Sequence, residues 1–384
     1  MVATSLSVLA MIVTLAFVNG FQEEISNKIF SFWGHVHVQH FSASKALVAE
    51  ETPITENDTI LQTIRKQKEV LNAYTYATKS AVLEKNKAIE GVLIKGIGLQ
   101  YDASRFSSFI KKGHWINLSD SNYSKEILVP EPIAKSLQLN INDTVRVHFI
   151  ATKQGETSTY RKLIVAGIYK TGIEEYDKLF IISDIKLLQR LNNWRAKQIG
   201  GYEAYIDDYN KMDSFSTHLI DQLPSEWMSK TTKESYPNIF DWLNIQDVNR
   251  NVVFIIMAIV AIINLMTCLL VLVLERTKMV GILKAIGAHN WQIQQIFLFH
   301  AGIITLIGVG LGLLSGLALC LLQQTTHFIS LDESSYYISY APIKIIGWQV
   351  ALVCLCTAVV CFLSLIIPTL IIKKLSPVKA IQFR

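Results

Sequence analysis

Residues 275–288 read Glu275-Arg-Thr-Lys-Met-Val-Gly-Ile-Leu-Lys-Ala-Ile-Gly-Ala288, a short basic amphipathic segment between two long uncharged runs. The runs cover residues 252–274 and 296–322, and neither contains Asp, Glu, Lys or Arg. A helix rises about 1.5 Å per residue, so about 20 apolar residues cross the roughly 30 Å hydrocarbon core of a bilayer. The sequence therefore predicts two membrane spans joined by a cytoplasmic helix that is suited to contact another molecule.

Apolar residues are concentrated in four runs, which predicts a membrane protein with four transmembrane helices. Charged residues make up only 17% of the chain, and the mean hydropathy is +0.31. The predicted spans cover residues 1–18, 252–274, 296–322 and 346–372. No basic segment precedes the first run and no clear small-residue cleavage site follows it, so a retained span is favoured over a cleaved signal peptide.

Basic residues near the spans predict their orientation. Three of them follow the second span within residues 275–295 and four follow the fourth span, whereas the loop between the third and fourth spans has Lys344 alone. Because Lys and Arg stay on the cytoplasmic side, that first loop and the tail are expected inside, and residues 19–251 outside. The external segment holds 28 basic and 28 acidic residues. The net charge of +5 therefore comes from the membrane part and does not indicate nucleic-acid binding.

The external segment 19–251 is expected to be stable without disulfide bonds. It contains no cysteine, and its length is sufficient for a hydrophobic core of its own. All five cysteines fall inside predicted spans, where they behave as small apolar residues. They are Cys268, Cys320, Cys354, Cys356 and Cys361.

Hydrophobic spacing predicts an α+β fold for this external domain. Asn57 or Asp58 is expected to cap the first of three helices, and a helical pattern over residues 240–251 runs directly into the second span as a stalk. The chain is therefore divided into a first span at 1–18, an external domain with its stalk at 19–251, and a membrane domain at 252–384. The predicted helices cover 59–72, 131–137 and 184–191, and the predicted strands cover 74–82, 91–98, 144–150, 161–168 and 179–182.

The sequence does not predict an enzyme, a cofactor or a metal site. No Gly-Lys dipeptide occurs, so the phosphate-binding P-loop is absent. On a strand, His35 and His37 share one face while His40 points to the other, so only two ligands converge where a metal needs three or four. We expect these histidines to form a polar strand near the membrane surface.

Small and polar residues within the spans predict helix packing. Gly308, Gly312 and Gly316 recur every four residues in the third span, which makes a flat strip that another helix can approach closely. The partner of this strip is either another helix of the same chain or a second subunit. Asn264, a strongly polar residue deep in the second span, is expected to form an interhelical hydrogen bond.

The layout of one span, a large external domain and three further spans resembles the FtsX/MacB-type (type VII) ABC transporter permeases. Segment 275–288 resembles the coupling helix of that family, and the ending Pro368 … Lys373-Lys-Leu-Ser-Pro-Val-Lys-Ala-Ile381 resembles its closing motif. The resemblance implies a MacB-like periplasmic domain between the first two spans. Three shorter motifs are similar to the lipoprotein-releasing LolC/LolE subfamily: Asn19-Gly-Phe-Gln-Glu-Glu-Ile25, Gly91-Val-Leu-Ile-Lys-Gly-Ile97 and Leu331-Asp-Glu-Ser-Ser-Tyr-Tyr-Ile338.

The resemblance implies a permease subunit of the bacterial inner membrane. Two permease chains would enclose a lipid-facing cavity, and a dimer of a separate ABC ATPase would dock from the cytoplasm. The implied cargo is a lipoprotein, drawn from the outer leaflet and handed to a periplasmic carrier. Met11 and Ile262 are candidates for contact with its acyl chains. Met279, Leu283 and Ile286 share the expected docking face. The residues implied in ATPase coupling are Glu275, Arg276, Lys278, Met279, Gly281, Leu283, Lys284, Ile286 and Gly287.

Two departures from the subfamily leave alternatives open. The subfamily has a basic amphipathic segment before its first span, whereas this chain begins within that span; either the start is misassigned or the lateral entry is built differently. The loop 152–159, where LolC would hook the carrier, is short and has no aromatic or proline-bearing tip. The chain is then a LolE-like partner or a homodimer. The rival function is an FtsX-like mechanotransmission protein that regulates a periplasmic partner such as a cell-wall hydrolase.

Overall fold

A computed structural model describes residues 2–40, 53–119, 122–149 and 159–364, which form two compact units. The first unit comprises the described residues of Met1–Glu24, Asp241–Leu331 and Ser339–Arg384, and the second comprises those of Ile25–Phe240 and Asp332–Ile338. The described helices are α1 Val2–Trp33, α2 Asp58–Arg65, α3 Ser104–Ser107, α4 Glu131–Ser136, α5 Glu174–Asp177, α6 Ile185–Leu191, α7 Met212–Ile220, α8 Thr232–Ser235, α9 Pro237–Glu275, α10 Thr277–Ala285, α11 Asn290–Thr326, α12 Glu333–Tyr336 and α13 Gly347–Ser364.

Three described helices are long and apolar enough to cross a membrane. They lie at Val2–Trp33, Pro237–Cys268 and Trp291–Thr326. The fourth predicted span begins as the shorter apolar helix α13, and its expected continuation to residue 372 lies outside the described residues. The count of four spans therefore stays a prediction.

The helices of the first unit pack around two hydrophobic clusters. One cluster joins α1, α11 and α13 through buried residues that include Val8, Ile12 and Val350. The other joins α9, α10, α11 and α13 through residues that include Leu265, Val280 and Phe297. These side chains are in close van der Waals contact. The contacts hold the short helix α10 against the long helices.

The second unit is built on a ten-stranded mixed sheet, which confirms the predicted α+β fold. Its strand order is β12-β1-β11-β3-β4-β9-β6-β8-β5, and β7 pairs with both β3 and β8. Two pairs are parallel, β4 with β9 and β6 with β8, and the remaining pairs are antiparallel. A separate two-stranded sheet is formed by β2 and β10. The strands of the two sheets are β1 Val36–His40, β2 Ile54–Thr55, β3 Val70–Lys85, β4 Ala88–Ile97, β5 Ile110–Gly113, β6 Glu126–Pro130, β7 Thr144–Phe149, β8 Thr159–Tyr169, β9 Phe180–Asp184, β10 Gln198–Ile199, β11 Gly201–Ile206 and β12 Trp227–Thr231.

The predicted elements of this unit occur in the structure with one exception. Asn57 caps α2, because its side chain accepts hydrogen bonds from the backbone amides of Thr59 and Ile60. The helix predicted over 59–72 was wrong beyond Arg65, since residues 70–72 begin β3. There Val70 and Asn72 pair with β11, and tertiary pairing overrides the helical spacing. The predicted stalk pattern at 240–251 lies inside the single helix α9.

Candidate functional site

The expected coupling segment folds as a short helix between two sharp turns. Helix α9 ends at Glu275, and Arg276 leaves the helical conformation with φ −100° and ψ 17° before α10 begins. At the other end, Gly287 has φ +98°, a conformation that other residues adopt only at a cost. The side chains of His289 and Gln292 then form a capping box at the start of α11. Helices α9, α10 and α11 are therefore separated by only a few residues of the sequence.

The apolar side chains of α10 are divided between two faces. Val280 is fully buried, and Met279 and Leu283 pack against the same hydrophobic cluster. In contrast, Ile282 is 54% exposed and Ile286 is 80% exposed. The expected docking face of Met279, Leu283 and Ile286 is therefore not one continuous surface in the folded chain. The apolar surface left open consists of Ile282 and Ile286, one helical turn apart.

One charged residue of the segment, Lys278, shares a helical face with that open surface. Glu275, Arg276 and Lys278 are exposed, whereas Lys284 is half-buried and Gly281 is buried. Lys278 lies one turn before Ile282, so a cation and two apolar side chains follow each other along one face of α10. Such a face suits a groove with an apolar floor and an acidic rim.

An apolar groove of about 240 Å³ lies within the first unit, between α1, α9 and α13. Its one lining hydroxyl, on Thr357, donates to the carbonyl oxygen of Val353 in its own helix at 2.7 Å. Because the walls offer hydrocarbon and sulfur atoms, the groove suits an alkyl chain. Met11 lines it, whereas Ile262 does not. The lining residues are Met11, Phe254, Ala258, Ala261, Leu352, Val353, Cys356, Thr357, Val360 and Cys361.

The glycine strip of α11 faces α1 of the same unit. A Cβ on Gly312 would lie 2.7 Å from both the carbonyl oxygen of Ser5 and the Cβ of Val8, and one on Gly316 would lie 3.3 Å from the Cβ of Ile12. Gly308 is also buried. The small residues therefore permit a close approach of two helices of one chain.

The Asn19-Gly-Phe motif links α1 to other parts of the first unit. Asn19 Nδ2 donates to Gln349 Oε1 at 2.6 Å, and a Cβ on Gly20 would lie 2.7 Å from the carbonyl oxygen of Pro342. Phe21 stacks edge-on against Trp242, with the ring centroids 5.2 Å apart. The motif thus ties α1 to the starts of α9 and α13. Sequence reasoning missed Pro342 and Gln349, because nothing local marks them.

A buried ion pair lies at the end of α1 in the second unit. Lys95 Nζ donates to Glu203 Oε2 at 2.6 Å, and both side chains have at most 1% of their surface exposed. The ammonium also donates to the carbonyl oxygen of Phe32, one of the last carbonyls of α1, and lies 4.6 Å from the ring centroid of Trp33. Burial raises the pKa of the Glu203 carboxyl, while the Lys95 charge opposes that shift. Lys95 belongs to the 91–97 motif.

Residues 332–338, which we call the strap, belong to the second unit although the chain on both sides of them belongs to the first. Lys170 Nζ lies 2.6 Å from Glu333 Oε2, and Lys28 Nζ donates to the carbonyl oxygen of Tyr337 at 2.7 Å. The Glu333 carboxylate raises the pKa of Lys170 through this hydrogen bond. A Cβ on Gly172 would lie 2.7 Å from that same Tyr337 oxygen. The 331–338 motif therefore has a docking site made of residues that are distant in sequence.

The three histidines near the end of α1 do not converge. His37 Nε2 is 2.8 Å from the carbonyl oxygen of Trp33, and His35 Nδ1 accepts from the Ile206 amide at 3.2 Å. His40 Nε2 lies 3.4 Å from Glu226 instead. Burial lowers the pKa of His35 to about 3 and that of His37 to about 4. Within the described ranges, no three His, Cys, Asp or Glu side chains are grouped as a metal site.

Asn264 bonds to its own helix. Its Nδ2 donates to the carbonyl oxygen of Val260 at 2.9 Å, and the side chain is exposed on α9. The expected hydrogen bond to another helix is not formed within the described part of this chain.

Two family models match most of this chain. Residues 1–214 match the family described as MacB-like periplasmic core domain, and residues 251–377 match FtsX-like permease C-terminal. Similar proteins include the lipoprotein-releasing system transmembrane protein LolC of Neisseria meningitidis, 23% identical over 99% of this chain and 92% of the relative. LolE of Haemophilus influenzae is 21% identical with the same coverage. The periplasmic region of MacB from Actinobacillus actinomycetemcomitans is 15% identical over 53% of this chain and 92% of that structure, with a TM-score of 0.36.

Proposed function

Since this chain belongs to the family of FtsX/MacB-type ABC transporter permeases, we propose that it extracts lipoproteins from the outer leaflet of the bacterial inner membrane. The second unit is then the periplasmic domain, and ATP hydrolysis is performed by a separate partner chain. The similarity to LolC and LolE over nearly the whole chain supports a lipoprotein as cargo.

The observation that carries this proposal is the apolar groove between α1, α9 and α13. An acyl chain in the bilayer is surrounded by hydrocarbon and needs no polar partner. It can therefore move from the lipid into the apolar groove at little cost in free energy. Met11 and Leu352 lie on opposite helices of the groove. A hydrocarbon chain seated there would contact both α1 and α13.

The exposed face of α10 supports coupling to the ATPase. Ile282 and Ile286 would bury apolar surface in a groove of the ATPase, and Lys278 would face an acidic rim. Since Met279 and Leu283 hold α10 to the cluster that includes α9 and α11, movement of α10 would carry those helices with it.

The partners follow from the same proposal. They are a dimer of the ABC ATPase, a second permease chain, the lipoprotein cargo and a periplasmic carrier. The loop 152–159, where a carrier would bind by resemblance to LolC, lies outside the described residues except for Thr159.

Site-specific photo-crosslinking in membrane vesicles tests the proposal. A benzoylphenylalanine at Leu352, which lines the groove and is 49% exposed, should trap a triacylated lipoprotein, and ATP should diminish the adduct. The matched control is Leu314, which is 67% exposed on α11 and does not line the groove. Equal adducts at both positions would show that the groove is not the cargo site.

A second candidate function is FtsX-like mechanotransmission to a periplasmic partner such as a cell-wall hydrolase. The strap favours it, because residues between α11 and α13 form part of the second unit and are held there by Lys170 and Lys28. Recovery of a wall hydrolase with the second unit, together with normal lipoprotein release in a depleted strain, would select this function.

A further inference from the structure

Polar contacts tie α1 to the segment that begins α13, and we call these contacts the clasp. Asn19 Nδ2 donates to Gln349 Oε1 at 2.6 Å. One turn further along α1, Glu23 Oε1 lies 2.6 Å from Lys344 Nζ. The Lys344 backbone amide also donates to the carbonyl oxygen of Ala16 at 2.9 Å. Side-chain and backbone contacts therefore hold the two elements together at one level.

The clasp lies beyond one end of the apolar groove. Asn19 follows the groove residue Met11 along α1, by a rise of about 12 Å. Gln349 precedes the groove residue Leu352 in α13 by about 4.5 Å. The predicted orientation places the end of α1 and the start of α13 on the external side of the membrane. The clasp is thus at the external end of the groove.

The third wall of the groove, α9, is tied to α1 at the same end. Phe21 packs edge-on against Trp242, with the ring centroids 5.2 Å apart, and the next residue, Gln22, donates through Nε2 to the Leu243 carbonyl oxygen at 3.4 Å. Both contacts precede the groove residues of α9 in the sequence. The side of the groove, in contrast, is open, since Leu352 is 49% exposed. An alkyl chain can therefore enter from the side but meets these contacts at the external end.

The contacts of the clasp are specific but individually weak. The Glu23 and Lys344 side chains are 44% and 45% exposed, so solvent screens their attraction. The half-buried Asn19 and Gln349 share one neutral hydrogen bond. Such a bond between membrane helices changes an equilibrium by about three- to tenfold. These contacts can hold the end of the groove closed at rest and still open when the helices move.

We propose that the clasp is an exit gate for the acyl chains of the cargo. The chains enter the groove from its side and leave through its external end when α1 and the start of α13 separate. This inference rests on the proposed function, because it takes the groove to be the site of the acyl chain. Asn19 and Gln349 are then positioning residues, which act on the cargo by setting the gap between two helices.

Reversible crosslinking of the gate in the complete transporter tests this proposal. On a background without the native cysteines, benzoylphenylalanine at Leu352 reports on cargo, and Asn19→Cys and Gln349→Cys are joined by a short bifunctional thiosulfonate after a triacylated lipoprotein has been loaded. The joined complex should retain the full Leu352 adduct after ATP is added, while ATP turnover continues, and reductant should restore the loss of adduct. Each single-cysteine variant, treated with the same reagent, is the matched control and should lose the adduct on addition of ATP.

Loosening the gate should have the opposite effect. Asn19→Leu should raise the ATP-independent transfer of loaded lipoprotein to a soluble cyclodextrin about three- to tenfold, because the hydrogen bond to Gln349 is lost. Glu23→Lys should also raise it, since two cations then face each other. Adding Lys344→Glu re-forms the pair with exchanged charges and should return the transfer rate to that of the original chain.

The outcomes separate the gate from the proposed function. Loss of adduct from the joined complex on addition of ATP, arrest of ATP turnover by the crosslink, or an unchanged transfer rate in Asn19→Leu would each overturn the gate and leave the groove as the cargo site. Absence of a lipoprotein adduct at Leu352 in the original chain would overturn both, since the gate would then have no cargo to release.

Discussion

Lys95 and Glu203 form an ion pair, with Nζ and Oε2 2.6 Å apart, although 108 residues separate them and both are buried. They lie on β4 and β11, which flank β3. The Lys95 ammonium also binds the last turn of α1 through the Phe32 carbonyl. One side chain therefore joins two strands and the end of a membrane-spanning helix.

Replacement of Lys95 by Met is expected to destabilise the second unit strongly. The change leaves the Glu203 carboxylate buried without its counter-charge, which costs about 3–5 kcal/mol in comparable pairs. Chemical unfolding of the purified protein measures the effect, with the exposed Lys112→Met as its control. The double variant Lys95→Met with Glu203→Gln should recover part of the loss. Equal stability of Lys95→Met and Lys112→Met would show that the pair is not needed.

Replacement of Ile286 by Asp should abolish stimulation of the partner ATPase without loss of stability. Ile286 is 80% exposed, so the charge is well solvated in the free chain but would be desolvated at the proposed contact of α10 with the ATPase. ATP turnover in proteoliposomes, together with the melting temperature, separates these effects. Ile286→Leu keeps the apolar surface and should behave as the original chain does. Full stimulation of the Ile286→Asp complex would remove this face from the coupling.

Two glycines of α11 should respond differently to the same change. Gly312→Ala places a Cβ 2.7 Å from Val8 Cβ and Ser5 O, so α1 and α11 must separate, at a cost of about 1–3 kcal/mol. Around Gly310, a Cβ would meet nothing within 4 Å, and Gly310→Ala should be neutral or slightly stabilising. Thermal unfolding in detergent compares them. Equal melting temperatures would argue against close packing at Gly312.

The stability of the second unit should fall as the pH is lowered from about 6.5. Burial lowers the pKa of His37 to about 4, so the folded state keeps this histidine neutral while the unfolded state, with a pKa near 6.5, takes up a proton. The free energy of unfolding should then decrease by about 1.4 kcal/mol per pH unit for this group between pH 6.5 and 4. His35, with a pKa of about 3, acts in the same direction.

Comparison of denaturant midpoints at pH 7 and pH 5 gives the measurement. His37→Gln retains an N–H donor for the Trp33 carbonyl but does not titrate, so its pH dependence should be smaller. His40→Gln serves as the control, because 33% of the His40 side chain is exposed beside Glu226. Identical slopes for the two variants would show that His37 protonates as easily in the folded state.

The Lys170–Glu333 pair should hold the strap with modest strength. About a third of each side chain remains exposed, so a double-mutant cycle with Lys170→Met and Glu333→Gln is expected to give a coupling of about 0.5–1 kcal/mol after solvent screening. Hydrogen exchange at the Tyr336 and Tyr337 amides, which bond to Asp332 and Glu333, reports directly on the strap. Unaltered exchange in both single variants would mean that other contacts hold it.

The sequence predicted what depends on local composition. Uncharged runs located three helices that are long and apolar enough to cross a membrane, and the basic segment between two of the runs located α10 within two or three residues of its observed ends. Runs of β-branched residues located strands such as β7 and β8. These features follow from the few residues that form them, so no knowledge of distant partners is required.

Features that depend on distant pairing could not be predicted. Residues 70–72 carry a helical spacing but join a strand, because β11 supplies their hydrogen-bond partners from more than 130 residues away. Ile286 and Leu283 share a helical face on paper, yet the cluster that includes Phe297 buries only Leu283. The motif at 331–338 was recognised by resemblance, but nothing near it pointed to Lys170 as its partner.

The position of the strap in the sequence determines when the second unit can be completed during synthesis. A chain emerging from the ribosome contains the whole of Ile25–Phe240 long before it contains Asp332–Ile338, and α9, α10 and α11 are made in between. The contacts of Lys170 and Lys28 with the strap can therefore form only after α11 has been translated. The sheet can fold early, as domains do during synthesis, but its last segment arrives only with the membrane helices. The second unit is therefore completed only after α9, α10 and α11 have been translated.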